Sequence, residues 1–98
     1  MSFEGNWDIS IASPMGQQLV SLTIGRDENG LVGTATQGAE TVAFQNIKPE
    51  GDRLRWTQNV SRPFPLTVKF DVVISGDVMT GAAKAGLFPE TKLTGQRA

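Results

Sequence analysis

Residues 66–74 read Leu66-Thr67-Val68-Lys69-Phe70-Asp71-Val72-Val73-Ile74. Leu66, Val68, Phe70, Val72 and Ile74 fall on one side of a period-two pattern, with Thr67, Lys69 and Asp71 on the other. A strand with one buried and one solvated face requires that alternation, and no helical period fits it. The pattern repeats elsewhere. Trp7, Ile9 and Ile11 alternate with Asn6, Asp8 and Ser10; Val20, Leu22 and Ile24 alternate with Ser21 and Thr23; Leu54 and Trp56 alternate with Arg53, Arg55 and Thr57. Residues 41–48 fit less simply, because Val42 and Phe44 suit one face while Ala43 and Ile47 suit the other.

Turn signals separate these runs. They are Ser13-Pro14-Met15-Gly16, Asp27-Glu28-Asn29-Gly30, Gly38-Ala39-Glu40, Pro49-Glu50-Gly51-Asp52, Ser61-Arg62-Pro63-Phe64-Pro65, Ser75-Gly76-Asp77 and Gly86-Leu87-Phe88-Pro89. Glycine supplies positive φ, proline fixes φ, and Asp or Asn bonds its own backbone. Seven turns leave eight segments of roughly 7–10 residues, which is strand length. The expectation is an all-β chain, residues 1–98 forming one domain: an eight-stranded antiparallel up-and-down meander closed into a barrel. Closure removes two sheet edges and an uncovered apolar face. A two-sheet sandwich is the alternative, but it needs long crossing connections. The triplets Leu31-Val32-Gly33, Met79-Thr80-Gly81 and Leu93-Thr94-Gly95 favour closure, since a glycine inside a strand marks a bend or a bulky close neighbour.

Composition narrows the chemistry. The 98 residues include no cysteine, histidine or tyrosine. Thiolate nucleophiles, disulfides, sulfur-ligated metals and the usual neutral-pH base are therefore absent. No metal or cofactor is expected, and no nucleophile–base pair can be named, so the reading is non-enzymatic. A net charge of −1 with nine scattered Lys and Arg argues against nucleic acid. No apolar run approaches the ~18 residues of a membrane span, and the first residues carry no basic-then-apolar leader, so a cytoplasmic location is expected.

A meander sends alternate turns to opposite ends. One end collects Asp27, Glu28, Glu50, Asp52 and Asp77, five of the ten carboxylates. The other collects the proline-richer loops bearing Met15, Phe64, Leu87 and Phe88. Both termini fall at the acidic end, where the first and last strands of a closed barrel are neighbours. Trp7 and Arg97 are expected to meet there, guanidinium over indole, plugging that end.

Gly5-x-Trp7 on the first strand with Arg97 on the last resembles the calycin superfamily of lipocalin, fatty-acid-binding and avidin (streptavidin-like) barrels, and Leu31-Val32-Gly33-Thr34 is similar to the third strand of avidins. Over nearly its full length the chain resembles a small bacterial calycin-like domain found alone or fused behind enzymes such as amidohydrolases. The shared pattern is Gly5-Asn6-Trp7-Asp8, Ser13-Pro14-Met15-Gly16, Gly33-Thr34, Arg62-Pro63-Phe64-Pro65, Gly76-Asp77, Gly81, Lys84-x-Gly86 and Gly95-Gln96-Arg97. The resemblance implies a barrel and no particular activity. Biotin is rejected: Ile9 and Ala35 stand where avidins place a polar Asn and a Tyr.

Candidate ligand-binding residues are Met15, Trp56, Gln58, Phe64, Leu87 and Phe88. The four apolar loop residues either line the entrance for a small apolar ligand, cap the core, or form a protein contact. Gln58 comes after Leu54 and Trp56 on the inward register, where a buried amide orients a ligand or bonds its surroundings. Lys84 falls on the outward register and reads as a surface charge. Asp27-x-Asn29-Gly30 lacks the remaining ligands of a calcium loop and reads as a hairpin turn. Two functions stay open: a binding barrel for a small apolar ligand, and a filled barrel that acts as an interaction or homo-oligomerisation module.

Overall fold

A computed structural model describes residues 3–13, 16–60, 65–86 and 88–98. Among these described residues nine strands run in chain order: β1 (Gly5–Ser13), β2 (Gly16–Asp27), β3 (Gly30–Gln37), β4 (Glu40–Ala43), β5 (Gln45–Glu50), β6 (Arg53–Val60), β7 (Leu66–Ser75), β8 (Val78–Ala85) and β9 (Thr91–Arg97). All belong to one antiparallel sheet in the order β4-β3-β2-β1-β9-β8-β7-β6-β5. The first strand pairs with the last, as a closed meander requires, and Trp7 lies directly across from Arg97. The two ends of this order, β4 and β5, are joined by Phe44 alone. The sheet therefore curls almost fully round into an up-and-down barrel, which excludes the two-sheet sandwich.

The strand number corrects the expected eight. The segment over residues 41–48 is two strands, with β4 pairing to β3 and β5 to β6. Asn46 has φ 52° and marks a register shift between Gln45 and Lys48. Asn tolerates the left-handed region better than most residues, and the extra residue of a bulge reverses the facing of the residues beyond it. Val42, Phe44 and Ile47 are thereby all buried or half-buried. The conflicting faces of this segment are the trace of that bulge. Pro49 lies on β5, an edge strand, where its missing N–H breaks no ladder.

Alternation within each strand builds the core: Trp7, Ile9, Leu22, Ile24, Ala35, Leu54, Trp56, Phe70, Val72, Ile74, Met79, Ala83 and Leu93 are buried. Small residues make room for large ones. A Cβ on Gly33 would fall 2.5 Å from the Phe44 ring, and one on Gly95 would fall 2.5 Å from Ile9 Cγ2. Phe44 bonds its N–H to the Gly33 carbonyl at 2.8 Å, so the residue that links β4 to β5 is pinned to β3. Its ring stacks on Trp56 at 4.3 Å, and Trp56 stacks on Phe70 at 4.9 Å. Three parallel rings thus bridge the seam between the two edge strands and the β6–β7 wall.

At the acidic end Arg97 and Trp7 meet across the β1–β9 pairing. The Arg97 guanidinium carbon lies 4.3 Å from the centroid of the Trp7 ring. Arg97 Nε donates to Asp77 Oδ1 at 3.0 Å, Nη2 donates to the Gly76 carbonyl at 3.3 Å, and Nη1 donates to the Glu4 carbonyl. Trp7 Nε1 donates to the Phe3 carbonyl at 3.0 Å. One side chain therefore ties the chain before β1 to the β7–β8 turn, over a fully buried indole.

Candidate functional site

Burial differs between the two ends on most inward registers, although Leu31 beside the acidic-end turn is half-buried as well. Near the acidic end Trp7, Leu54, Val72, Ile74 and Met79 are at most 1% exposed. Toward the opposite end the same inward registers carry Ile11, Val20, Val60, Leu66 and Val68, which are only half-buried. The register pairs Gln58 with Val68 and Val60 with Leu66, so two adjacent strands present this apolar layer together. Ala85 lies across from Val68 on the next strand and is also half-buried.

The aromatic stack floors that layer. Trp56 and Gln58 are two residues apart on β6 and share its inward face, as their spacing predicts. Trp56 Nε1 donates to Gln58 Oε1 at 2.9 Å. An indole nitrogen can only donate, so this bond fixes which end of the amide is oxygen. Gln58 is 5% exposed and is the one buried polar side chain among the described residues. Its Nε2 has no acceptor among the described residues, yet no fully enclosed side-chain nitrogen or oxygen there lacks a partner. The amide nitrogen therefore keeps an opening to solvent.

Met15, Phe64 and Leu87 lie outside the described residues. Phe88, beyond the end of β8, is 49% exposed, so it does not cap the core. Lys84 is exposed on the outer face, and its Nζ donates to the Phe88 carbonyl at 3.0 Å. The half-buried layer of Ile11, Val20, Val60, Leu66 and Val68 is not among the candidates that the sequence suggests. Its signal is nonetheless present: all five fall on the inward register in the loop-end half of their strands.

The outer wall carries features of its own. Lys48, Arg53, Arg55, Lys69, Lys84 and Lys92 are six of the nine cations, and all lie exposed on β5 to β9. They are scattered along the chain but brought together by strand pairing, with Lys69 directly across from Lys84. Arg53 pairs with Asp71 at 2.9 Å and Arg55 with Glu50 at 3.7 Å. On the other half of the wall a shallow groove of about 820 Å³ runs between exposed Leu19 and Val78 over Ser10, Ser21 and Thr94.

Fold and site together define a small, nearly closed antiparallel barrel with a buried apolar core and a half-buried layer toward one end. Compared with known proteins, the chain matches no family model, no curated protein and no solved structure at a significant level. Among the described residues no helix is long and apolar enough to cross a membrane.

Proposed function

We propose that the protein is a non-enzymatic binding barrel whose loop end takes a small apolar molecule. The observation that carries this reading is the half-buried apolar layer of Ile11, Val20, Val60, Leu66 and Val68 above a buried Trp56–Gln58 pair. The ligand rests against this layer, above the buried core. Covering the remaining exposed half of such a side chain contributes about 1 kcal/mol, so several together are needed for useful affinity. The absence of Cys and His favours binding over catalysis. The pairing of β1 with β9 through Trp7 and Arg97 supports the finer assignment to a calycin-like barrel.

The neutral fluorophore N-phenyl-1-naphthylamine tests this. Its emission is expected to rise saturably with one site per chain. Val20→Lys, at the layer, is expected to weaken binding about tenfold, the equivalent of about 1.4 kcal/mol. Leu19→Lys, its neighbour on the outer wall, leaves binding unchanged. No saturable emission, or a loss confined to Leu19→Lys, overturns the reading.

The alternative, a homo-oligomerisation module, draws on Leu19, which is 72% exposed at the edge of the outer groove. Exposed apolar groups beside a groove mark protein contacts. Light scattering separates the two readings. A multimer in the native chain that Leu19→Lys converts to monomer favours assembly, and a monomer at high concentration counts against it.

A further inference from the structure

We infer that the molecule bound at the loop end carries a neutral carbonyl oxygen, accepted into the site by the Gln58 side-chain amide. The inference rests on the binding reading above and names the class of ligand. Gln58 is buried to 5% exposure on the inward face of β6, and its oxygen is taken by the Trp56 indole N–H at 2.9 Å. Rotating the amide would set two donors face to face, so its orientation is locked. The NH₂ group is left as a double donor with no partner among the described residues, and it still reaches solvent. A buried polar group in this state is satisfied by water or by a ligand acceptor. An apolar molecule that covers the layer excludes water from the amide and leaves it unpaired, at a cost of about 1–3 kcal/mol. A ligand that brings its own acceptor avoids that cost.

The acceptor is neutral for a second reason. At this end the inward registers of the described strands carry apolar residues and the neutral polar Gln18, Gln37, Gln58 and Thr91, beside Glu40. Glu40 is the one charged residue among them, and it is an acid. A carboxylate ligand meets no cation on these registers among the described residues and loses more on desolvation than a ketone, ester or amide carbonyl.

Three near-isosteric probes test this on the intact chain: acetophenone, ethylbenzene and benzoate. Binding is monitored through the Gln58 side-chain and Trp56 indole cross-peaks in ¹⁵N-resolved NMR, with backbone amides reporting for the variants. Acetophenone is expected to bind about tenfold more tightly than either other probe, the worth of one hydrogen bond near 1.4 kcal/mol. Gln58→Glu keeps an acceptor for the Trp56 indole but removes both donors, and Gln58→Leu removes the amide altogether. Both are expected to abolish the preference for acetophenone, while Gln58→Leu holds ethylbenzene at least as well as the native chain. Equal saturable binding of acetophenone and ethylbenzene by the native protein overturns the donor role and leaves the apolar site standing. Benzoate binding tightest overturns the neutral class. No saturable binding of any probe overturns the inference together with the reading beneath it.

Discussion

Trp7→Ala is expected to lower the unfolding free energy by about 3–5 kcal/mol, the range for emptying a fully buried aromatic site. Trp7 is 0% exposed, so truncation leaves a cavity that β1, β2 and β9, all laddered through this position, cannot easily collapse. The cost has two further sources. Arg97 loses the ring beneath its guanidinium, and the Phe3 carbonyl loses the indole N–H that it accepts at 3.0 Å. Arg97 stays held by Asp77, Gly76 and Glu4, so it is expected to remain in place over a void. Urea unfolding of the two chains measures the difference. A change under about 1 kcal/mol would mean that the indole does not close this end of the barrel, since that is less than one buried methylene and its cavity explain.

Gly81→Ala should be comparably severe, for a different reason. Gly81 lies on β8 between Val72 of β7 and Leu93 of β9. A Cβ there would fall 2.1 Å from the Asp71 carbonyl oxygen and 2.7 Å from Val72 Cα. Both are backbone atoms, so no side-chain rotation relieves the clash and the β7–β8 ladder itself must move. Overpacking typically costs 1–3 kcal/mol, and a backbone clash belongs at or above the top of that range, about 3 kcal/mol. Gly25 on β2 is the control. A Cβ there meets only Val32 Cγ2 at 3.9 Å, an ordinary contact. Gly25→Ala also restricts the unfolded chain, so it should be neutral or slightly stabilising. Urea midpoints for the pair decide the matter: equal effects at the two glycines would show that chain flexibility, not space, governs Gly81.

The contrast between these glycines bears on how far a sequence pattern reaches. That Gly33, Gly81 and Gly95 mark close approaches is legible, because a strand tolerates glycine poorly unless a neighbour needs the space. Which neighbour needs it is not legible: a ring at Gly33, backbone at Gly81, a branched side chain at Gly95. The meander, its closure and the meeting of Trp7 with Arg97 come from period two, turn chemistry and loop parity. All three are local signals that a strand register carries unchanged over distance. The division at Phe44 escapes because a bulge is defined by pairing with another strand. Its local clue is the odd spacing between Phe44 and Ile47 across Asn46, a residue suited to positive φ.

The candidate site is legible in part. Spacing alone places Trp56 and Gln58 on one inward face. The indole-to-amide bond depends on side-chain rotamers, and the unpartnered donor it creates lies beyond any pattern in the chain. Met15, Phe64 and Leu87 fall outside the described residues, and Phe88 is half exposed; the site residues added here, Ile11, Val20, Val60, Leu66 and Val68, are strand positions. The cationic half of the outer wall makes the same point. Six cations dispersed over residues 48–92 become neighbours only when β5 to β9 align.

The most direct test of the proposed loop-end site is a map of backbone and methyl NMR shifts in the native chain titrated with N-phenyl-1-naphthylamine. Shifts are expected at Ile11, Val20, Gln58, Val60, Leu66 and Val68, with Ile24, Leu54 and Ile74 at the acidic end unmoved. Shifts centred instead on Leu19, Val78 and Thr94 of the outer wall, or no shifts at saturating probe, would contradict it.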